Sequence, residues 1–285
     1  MKLNKLPIVA LALAFTAAPL LGIAEEDEVE LDESQLYFEL NDTDGDLGIH
    51  GKADGDAWRR MRIEGPRNRR LLDIRTRSRL TRQGLTELFF ESAEPTFDEL
   101  DPETFFNRFP EGLYEWEGLT VDREDIEGEM FLSHRIPAAP VVASVGEEFA
   151  PQADECWDPG DVDEVLIDWH AVTHTHASLG SDTNAPLGDN AVIYYEFVVE
   201  IDDTDFKATA LVPPDVTEWT VSEAFIQLAE SLTVEDEDTG LQVPVDEIKF
   251  EIIVRVETGE VEDDDGETVD SAPGNQSAVE SCFEI

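Results

Sequence analysis

The sequence predicts an all-β protein of two β-sandwich domains in tandem. Short runs of β-branched and aromatic residues recur along the chain, with turns rich in Gly, Asp and Pro between them, and helical patterns are few and short. The length of 285 residues suits two domains of ordinary size. The proline-bracketed segment Pro137–Pro140 predicts a linker between a first domain, residues 28–138, and a second domain, residues 141–285.

The N-terminus has the pattern of a secretory signal peptide over residues 1–24. Lys2 and Lys5 precede an apolar run from Leu6 to Leu21, and small residues lead to Ala24, after which we expect cleavage. The apolar run is shorter than the roughly 20 residues that a membrane-spanning helix needs. The pattern therefore predicts an exported protein, periplasmic or extracellular, whose mature chain has no transmembrane segment.

Six strands and one helix are expected in the first domain. Asp101 is a suitable N-cap and Pro102 fits the first turn, so the sequence predicts a short helix over residues 102–108. The predicted strands are Leu36–Leu40, Trp58–Ile63, Leu71–Leu80, Leu85–Glu91, Leu113–Leu119 and Glu129–Ile136.

The second domain shows the same spacing of short strands, which is typical of a β-sandwich. Ser222 precedes a predicted helix over residues 223–229. The predicted strands are Glu164–Thr173, Ala191–Ile201, Phe206–Val212, Glu218–Val221, Glu247–Glu257 and Ala278–Ile285.

Several segments of the second domain follow the order of a known sandwich family. They are Ile167-Asp168-Trp169, Tyr194–Val199, Val212-Pro213-Pro214, Trp219-Thr220-Val221, Lys249–Arg255 and Gly274–Ser277. On these residues the second domain resembles fibronectin type III-like sandwiches, and the resemblance implies an immunoglobulin-like sandwich without implying an activity. The segment Gly84–Pro95 of the first domain resembles secreted bacterial proteins of no assigned function, which also implies no activity.

Cys156 and Cys282 are the two cysteines of the chain. In an exported protein an isolated pair most often forms a disulfide. The alternative, a metal site with two thiolate ligands, has no further ligand at the usual spacing. We therefore expect a disulfide, which stabilises the fold by roughly 4 kcal/mol through the long loop that it closes.

The charge of the chain restricts its partners. The formal net charge is -48, from 67 acidic and 19 basic residues. Such a surface stays hydrated in salt and repels itself at low ionic strength, which is typical of marine or halophilic bacterial proteins and also of acidic secreted proteins with solvated faces. General binding to nucleic acid or to an anionic membrane is disfavoured, because phosphate groups repel this surface.

Ten of the basic residues lie in one segment, from Arg59 to Arg82. Alternate residues of a strand share a face, and a turn at residues 65–68 would join two arginine-bearing strands into a hairpin. Guanidinium groups bind carboxylate, sulfate and phosphate through paired hydrogen bonds, and a neighbouring Trp can stack on a sugar or on an arginine. The pattern predicts a site for an anionic glycan or another acidic partner; the alternative is that these arginines pair with the acidic residues of the chain itself. The predicted ligand-binding residues are Trp58, Arg60, Arg62, Arg75, Arg77 and Arg79.

Two further patterns raise the question of a metal. Asp42, Asp44 and Asp46 are spaced as in calcium-binding loops, so Ca²⁺ is the one cofactor that the sequence suggests; the alternative is a turn rich in Asp and Asn. The three histidines His170, His174 and His176 share one strand face with Asp168, an arrangement that fits Zn²⁺ or Cu²⁺ but also fits incidental exposed histidines.

The sequence contains no established catalytic motif: it lacks a nucleophile elbow, a His-Glu-x-x-His helix and a glycine-rich phosphate loop. We therefore assign no catalytic residue and expect a non-catalytic binding or adhesion protein. One alternative is a carbohydrate-active hydrolase with an accessory sandwich, whose catalytic carboxylates we would expect between Glu87 and Glu117. The other is a calcium-stabilised structural protein of the cell surface.

Overall fold

The computed structural model describes residues 28–149, 156–160, 162–235, 240–257, 261–262, 268–269 and 273–285. The predicted signal peptide, residues 1–24, lies outside the described residues. The described part of the chain is mostly β-structure with three short helices, which confirms the predicted all-β class. None of the helices in the described ranges combines the length and the apolar character needed to cross a membrane.

The strands are β1 (Val29–Glu30), β2 (Glu33–Asn41), β3 (Asp46–Gly65), β4 (Arg69–Arg75), β5 (Leu85–Glu91), β6 (Gly112–Thr120), β7 (Asp125–Leu132), β8 (Val141–Val145), β9 (Val165–His170), β10 (Val192–Glu200), β11 (Lys207–Val212), β12 (Glu218–Val221), β13 (Thr233–Glu235), β14 (Gln242–Pro244), β15 (Glu247–Glu257), β16 (Val261–Glu262), β17 (Thr268–Val269) and β18 (Pro273–Glu284). The helices are α1 (Arg79–Gln83), α2 (Pro102–Arg108) and α3 (Glu223–Glu230).

The N-terminal half winds one sheet around its own core. The 20-residue strand β3 pairs with β2 and β5 along its first part and with β6 and β4 along its second part. Strand β6 pairs with β7, and β7 pairs with β1. Because β1 directly precedes β2 in the chain, the far edge of this sheet lies close in sequence to β2, which pairs with β3. Trp58 and Trp116 are fully buried inside, and α2 adds Phe105 and Phe106. The predicted N-cap holds: the Asp101 side chain accepts a hydrogen bond of 2.9 Å from the Thr104 N–H.

The C-terminal half is a β-sandwich. Strands β12, β9 and β8 form one sheet, and β18, β15, β10 and β11 lie together in the other. Ile167 and Trp169 from β9 pack in one core with Phe197 from β10 and Phe250 from β15. Trp169 and Phe197 stack with ring centroids 6.0 Å apart. This arrangement confirms the sandwich expected for this half and agrees with its resemblance to fibronectin type III-like domains.

The two halves share one sheet. Strand β18 pairs in parallel with β2, through Gln276 with Glu39, Ser277 with Leu40 and Ala278 with Asn41, so the main sheet runs β1-β7-β6-β3-β2-β18-β15-β10-β11 with β4 and β5 attached to β3. The prediction of two sandwiches in tandem is not confirmed. In the N-terminal half both the first and the second part of the long strand β3 contribute residues to the core. This half joins the C-terminal sheet through the pairing of β2 with β18.

The segment expected to be a linker, Pro137–Pro140, is largely buried in the described structure. The Ala138 N–H donates to the His174 carbonyl over 3.0 Å, and the Ser277 hydroxyl donates to the Pro137 carbonyl over 2.7 Å. The connection between the halves is therefore packed against the C-terminal half.

Cys156 and Cys282 form the predicted disulfide, with their Cα atoms 4.8 Å apart. The bond fastens the segment before β9 to the end of β18, where the Trp157 N–H also donates to the Cys282 carbonyl over 2.9 Å. The alternative of a two-thiolate metal site is excluded, because the sulfur atoms are bonded to each other.

Candidate functional site

The arginine-rich segment folds into the hairpin of β3 and β4, followed by helix α1. Arg60 lies directly opposite Arg75 in the register, and Arg62 lies opposite Asp73, so these four side chains share one face of the hairpin. The structure thus brings together three of the predicted ligand-binding residues, Arg60, Arg62 and Arg75.

Trp58 is not on that face, and the expectation that it flanks the arginines is wrong. Its side chain is 0 % exposed and belongs to the core of the N-terminal half. The register between β3 and β6 shifts between Trp58 and Arg60, so one extra residue enters β3 at this point. Such a bulge resets the alternation of side chains, and Trp58, Met61 and Ile63 all point inward while Arg60 and Arg62 point outward.

Arg77 and Arg79 do not lie on a strand, contrary to the prediction of one strand over residues 71–80. Strand β4 ends at Arg75, and Arg79 is the first residue of α1. Ser78 has a φ of 55°, which a strand does not accommodate, and the Thr76 N–H donates to the Arg59 carbonyl at the last point of the pairing. The two arginines are exposed beyond the hairpin.

Within the hairpin the arginines pair with the chain's own acids. Arg60 donates two hydrogen bonds to the two carboxylate oxygens of Asp73, at 3.3 and 2.9 Å, and Arg75 contacts the same carboxylate at 3.4 Å. The hydrogen bond from Arg60 lowers the pKa of Asp73. Arg62 pairs with Glu117 and Glu64. Arg70 likewise pairs with Glu64 and Asp73. For these four arginines the structure agrees with the alternative prediction, in which the arginines pair with acidic residues of the same chain.

The other arginines of the segment form no ion pair with a described residue. They are Arg59, Arg67, Arg69, Arg77, Arg79 and Arg82. Arg77, Arg79 and Arg82 are exposed at α1, and we call these three residues the α1 arginine patch. Arg79 and Arg82 are three positions apart on the helix, so their side chains lie near each other.

The loop with the predicted calcium ligands is a turn organised by Asn41. Its side-chain oxygen accepts hydrogen bonds from the backbone N–H groups of Thr43, at 3.1 Å, and Asp44, at 3.3 Å. The Asp42 carboxylate lies 3.2 Å from His176 instead of facing the other acids. Burial and the nearby Glu94 carboxylate raise the pKa of Asp46 to about 6. The structure therefore has the turn that the alternative interpretation describes.

Neither predicted metal site is assembled in the structure. Among the described residues, the one group of three potential metal ligands within 4.8 Å of one another is Cys156, Glu247 and Cys282, whose sulfurs form the disulfide. The described positions of Asp42, Asp44 and Asp46 thus do not bring their carboxylates around one point. His174 contacts Thr173 and His176 contacts Asp42, so the histidines do not converge either.

A cavity of about 440 Å³ lies on the outer face of the main sheet, across the junction of the two halves. We call it the junction groove. Its lining comes from β2, β3 and β5 of the N-terminal half and from β10, β11, β15 and β18 of the C-terminal half. The lining residues include Tyr37, Glu39, His50, Phe89, Glu91, Tyr194, Glu196, Glu200, Lys207, Thr209, Lys249, Glu251, Gln276 and Glu280.

The strand register explains why these side chains share one face. Glu251 lies opposite Glu280, Glu200 lies opposite both Lys249 and Lys207, and Gln276 lies opposite Glu39. Because side chains alternate along a strand, the residues between them on β10 and β15 point into the sandwich core. The groove is thus the polar side of strands whose other side is apolar.

A chain of polar contacts crosses the floor of the groove. His50 Nε2 lies 3.1 Å from Glu94 and His50 Nδ1 lies 3.7 Å from Glu39. The Gln276 amide donates to Glu39, and Arg255 donates to Gln276 Oε1 over 2.8 Å. The contacts link groups from both halves, because β2, β3 and the segment after β5 supply Glu39, His50 and Glu94, while β15 and β18 supply Arg255 and Gln276.

Two close approaches support this chain of contacts. The Arg255 side chain is buried, with its guanidinium carbon 3.4 Å from the centre of the Tyr37 ring, a cation–π arrangement. Gly48 leaves room for the Glu94 side chain, since a Cβ atom at this position would lie 2.1 Å from Glu94 Oε1. A larger residue at position 48 would push Glu94 away from His50.

Burial raises the pKa of several carboxyl groups of the groove. Burial, together with the negative charges of Glu39 and Glu280, raises the pKa of Glu251 from 4.5 to about 8. Burial also raises the pKa of Glu39 and of Glu196. At neutral pH the Glu251 carboxyl is therefore mostly neutral.

Replacing Glu251 by glutamine is expected to flatten the pH dependence of stability. Between the ordinary pKa of 4.5 and the folded value of about 8, the folded state holds a proton that the unfolded state releases. This contribution is complete below about 4.5 and is lost as the pH rises through about 8. We expect the wild-type free energy of unfolding to fall by roughly 3 kcal/mol between about pH 5 and pH 8, and the Glu251→Gln variant to lose much less.

Chemical denaturation across this pH range measures the effect, with Glu218→Gln, an exposed change on β12, as the control. The control should follow the wild type. Parallel pH profiles for wild type and Glu251→Gln would contradict the placement of a protonated carboxyl in the groove.

Sequence reasoning missed most of the groove. Glu91, which lines the groove, and Glu94, which contacts His50, lie in the range 87–117 where a hydrolase would have its carboxylates, and no other lining residue is a predicted site residue. The available signal was the alternation of glutamate with apolar residues on β10 and β15, as in Glu196, Glu200 and Glu251.

Comparison with known proteins adds little to this description. No protein-family model matches the chain, and no curated protein matches it. Among solved structures it matches the FN1–FN3 domains of chicken CNTN1, with a TM-score of 0.23 and 9% sequence identity over 90% of this chain and 68% of that chain. A TM-score this low carries no argument about the fold. The comparisons give no support to a resemblance of the N-terminal half to secreted bacterial proteins.

Proposed function

We propose that this is an exported, non-catalytic binding protein that recognises an anionic polysaccharide through the α1 arginine patch. One observation carries the proposal: Arg77, Arg79 and Arg82 are exposed and have no ion pair with a described residue, in a chain with 67 acidic residues. Acids of the same chain neutralise the neighbouring arginines of the hairpin, so a lack of acids does not explain why these three stay free.

The distribution of the free arginines fits a long ligand better than a single small anion. Arg67 and Arg69 lie at one end of β4 and the α1 arginine patch follows the other end. A seven-residue strand is about 20 Å long, since each residue adds about 3.3 Å. Charges spread over this distance match the repeating carboxylate or sulfate groups of a linear polysaccharide, each of which a guanidinium can bind through two hydrogen bonds.

The surrounding chemistry supports binding and not catalysis at this surface. Arginine side chains stay protonated, so they do not act as proton donors or acceptors near neutral pH. Trp58, the one aromatic residue expected beside the arginines, is buried and does not take part. Recognition is therefore electrostatic, and salt should weaken it strongly.

Retention on immobilised heparin across a salt gradient tests the proposal. We expect the wild type to be retained and an Arg79→Gln/Arg82→Gln variant to elute at clearly lower salt. Glutamine keeps the helix propensity of this segment, so α1 is preserved. The control is Arg108→Gln/Arg123→Gln, which removes the same charge from two exposed arginines outside the patch and should elute with the wild type.

Two outcomes would contradict the proposal. Equal shifts for both variants would mean that retention follows net charge alone. Lack of retention, combined with concentration-dependent self-association that the Arg79→Gln/Arg82→Gln change abolishes, would mean that the patch binds the acidic surface of a second copy of this chain.

A further inference from the structure

We propose that the junction groove binds an organic cation with a primary or secondary amine, of the size of a linear polyamine. This inference is independent of the proposed function, since it concerns a ligand of the opposite charge and residues outside the α1 arginine patch. It rests on three properties of the groove: its volume, its aromatic wall and the carboxylates that have no hydrogen-bond partner among the described residues.

The volume suits a small organic molecule. A cavity of about 440 Å³ falls in the range of about 300–1,000 Å³ that is usual for small-molecule sites. Such sites lie preferentially where two structural units meet, and this cavity lies where β2 of the N-terminal half joins β18 of the C-terminal half.

The wall of the groove includes aromatic rings, which the methylene groups of an alkyl amine can contact. Phe89 stands at the groove with 54% of its surface exposed, although exposing an aromatic side chain gains nothing for the free protein. Tyr37 and Tyr194 line the same cavity. One face of the Tyr37 ring is already covered by the Arg255 guanidinium.

The carboxylates set the sign of the ligand. Six glutamates and two lysines line the cavity. One of the lysines, Lys249, is engaged with Asp202 at 2.6 Å. Glu196, Glu200 and Glu251 form no hydrogen bond or ion pair with another described residue, so they are free to accept hydrogen bonds from an ammonium group.

The arrangement favours an organic cation over a metal ion. Among the described residues, no three carboxylates of the groove bring one oxygen each within 4.8 Å of one another. A metal ion needs several oxygens at about 2.0–2.6 Å around one point. A flexible amine, in contrast, bridges carboxylates that are spread along the groove while its methylene groups contact the aromatic wall.

Binding should release a proton. Glu251 on β15 is surrounded by Glu39 on β2, Glu280 on β18, and Glu196 and Glu200 on β10. Burial and the charges of these neighbours keep its carboxyl mostly protonated at neutral pH. Lys249 on β15 and Lys207 on β11 are the cations that line the same cavity. A bound ammonium stabilises the ionised form of Glu251, so the proton leaves as the amine enters.

Isothermal titration calorimetry with spermidine tests the inference. Titration in two buffers of different ionisation enthalpy counts the protons released. We expect one saturable site and release of up to one proton per spermidine at about pH 7. Glu196→Gln/Glu251→Gln should weaken binding about 10-fold or more and abolish the proton release. Glutamine resembles the neutral carboxyl that Glu251 already has at this pH, and the melting temperature of the variant verifies that it is folded.

The matched control is Glu218→Gln/Glu230→Gln, which removes two exposed acids outside the groove and should leave spermidine binding unchanged. Equal weakening in both variants would overturn the inference, because binding would then follow the net charge of the whole surface. Saturable binding of Ca²⁺ without binding of spermidine would overturn it as well, and so would the absence of any saturable binding.

Discussion

Replacing Asn275 by alanine is expected to lower the free energy of unfolding by about 3–5 kcal/mol. The Asn275 side chain is 1% exposed and joins the two halves of the molecule. Its oxygen accepts a hydrogen bond of 2.8 Å from the Phe38 N–H, and its amide donates to the carbonyls of Ser133, at 2.8 Å, and Arg135, at 3.0 Å. Alanine would leave all three backbone groups without these partners, and each buried group that loses its partner costs about 1–3 kcal/mol.

Chemical denaturation monitored by tryptophan fluorescence measures this effect. Asn107→Ala is a suitable control, because Asn107 is exposed on α2 and alanine favours a helix; its stability should stay within about 0.5 kcal/mol of the wild type. If Asn275→Ala were as stable as Asn107→Ala, the junction would not depend on this side chain.

Removing the disulfide by the double change Cys156→Ser/Cys282→Ser is expected to cost about 4–5 kcal/mol. The two cysteines are 126 positions apart, and cross-linking residues so distant removes much of the conformational freedom of the unfolded chain. The bond also fixes the end of β18, the strand that pairs with both β15 and β2.

Unfolding with and without reductant measures the contribution of the disulfide. The wild type in reductant should match the double variant, and reductant should leave the variant unchanged. Equal stability of the oxidised wild type and the variant would contradict the expected contribution of the bond.

The elements of the fold with strong local signals were predictable from sequence. Helix α2 occupies the predicted residues 102–108, because its start is set by a capping Asp and a Pro within one turn. Strands β5, β12 and β15 also have the predicted bounds. Each is a run rich in β-forming residues with turn-forming residues close to its ends.

The errors on the arginine face come from local irregularities that side-chain patterns do not reveal. The bulge in β3 moves Trp58 to the core. The positive φ of Ser78 ends the strand before Arg77 and starts a short helix at Arg79. Alternation predicts faces only where the register is regular.

The junction groove was out of reach for a different reason. It exists because β18 pairs with β2, which places Gln276 beside Glu39 although they are 237 positions apart. The sequence of neither strand indicates which other strand it pairs with. The sequence shows an excess of acids, and only the pairing of distant strands collects some of them on one face of the sheet.

The slope of heparin affinity against salt concentration tests the central claim, that the α1 arginine patch binds an anionic polymer, most directly. For binding to a linear polyanion, each guanidinium contact contributes about 0.7–0.9 to the slope of log affinity against log salt, as nucleic acids illustrate. We predict that Arg79→Gln/Arg82→Gln reduces the slope by about 1.5 relative to the wild type, and that Arg108→Gln/Arg123→Gln leaves it unchanged. Equal slopes for all three proteins would contradict the claim.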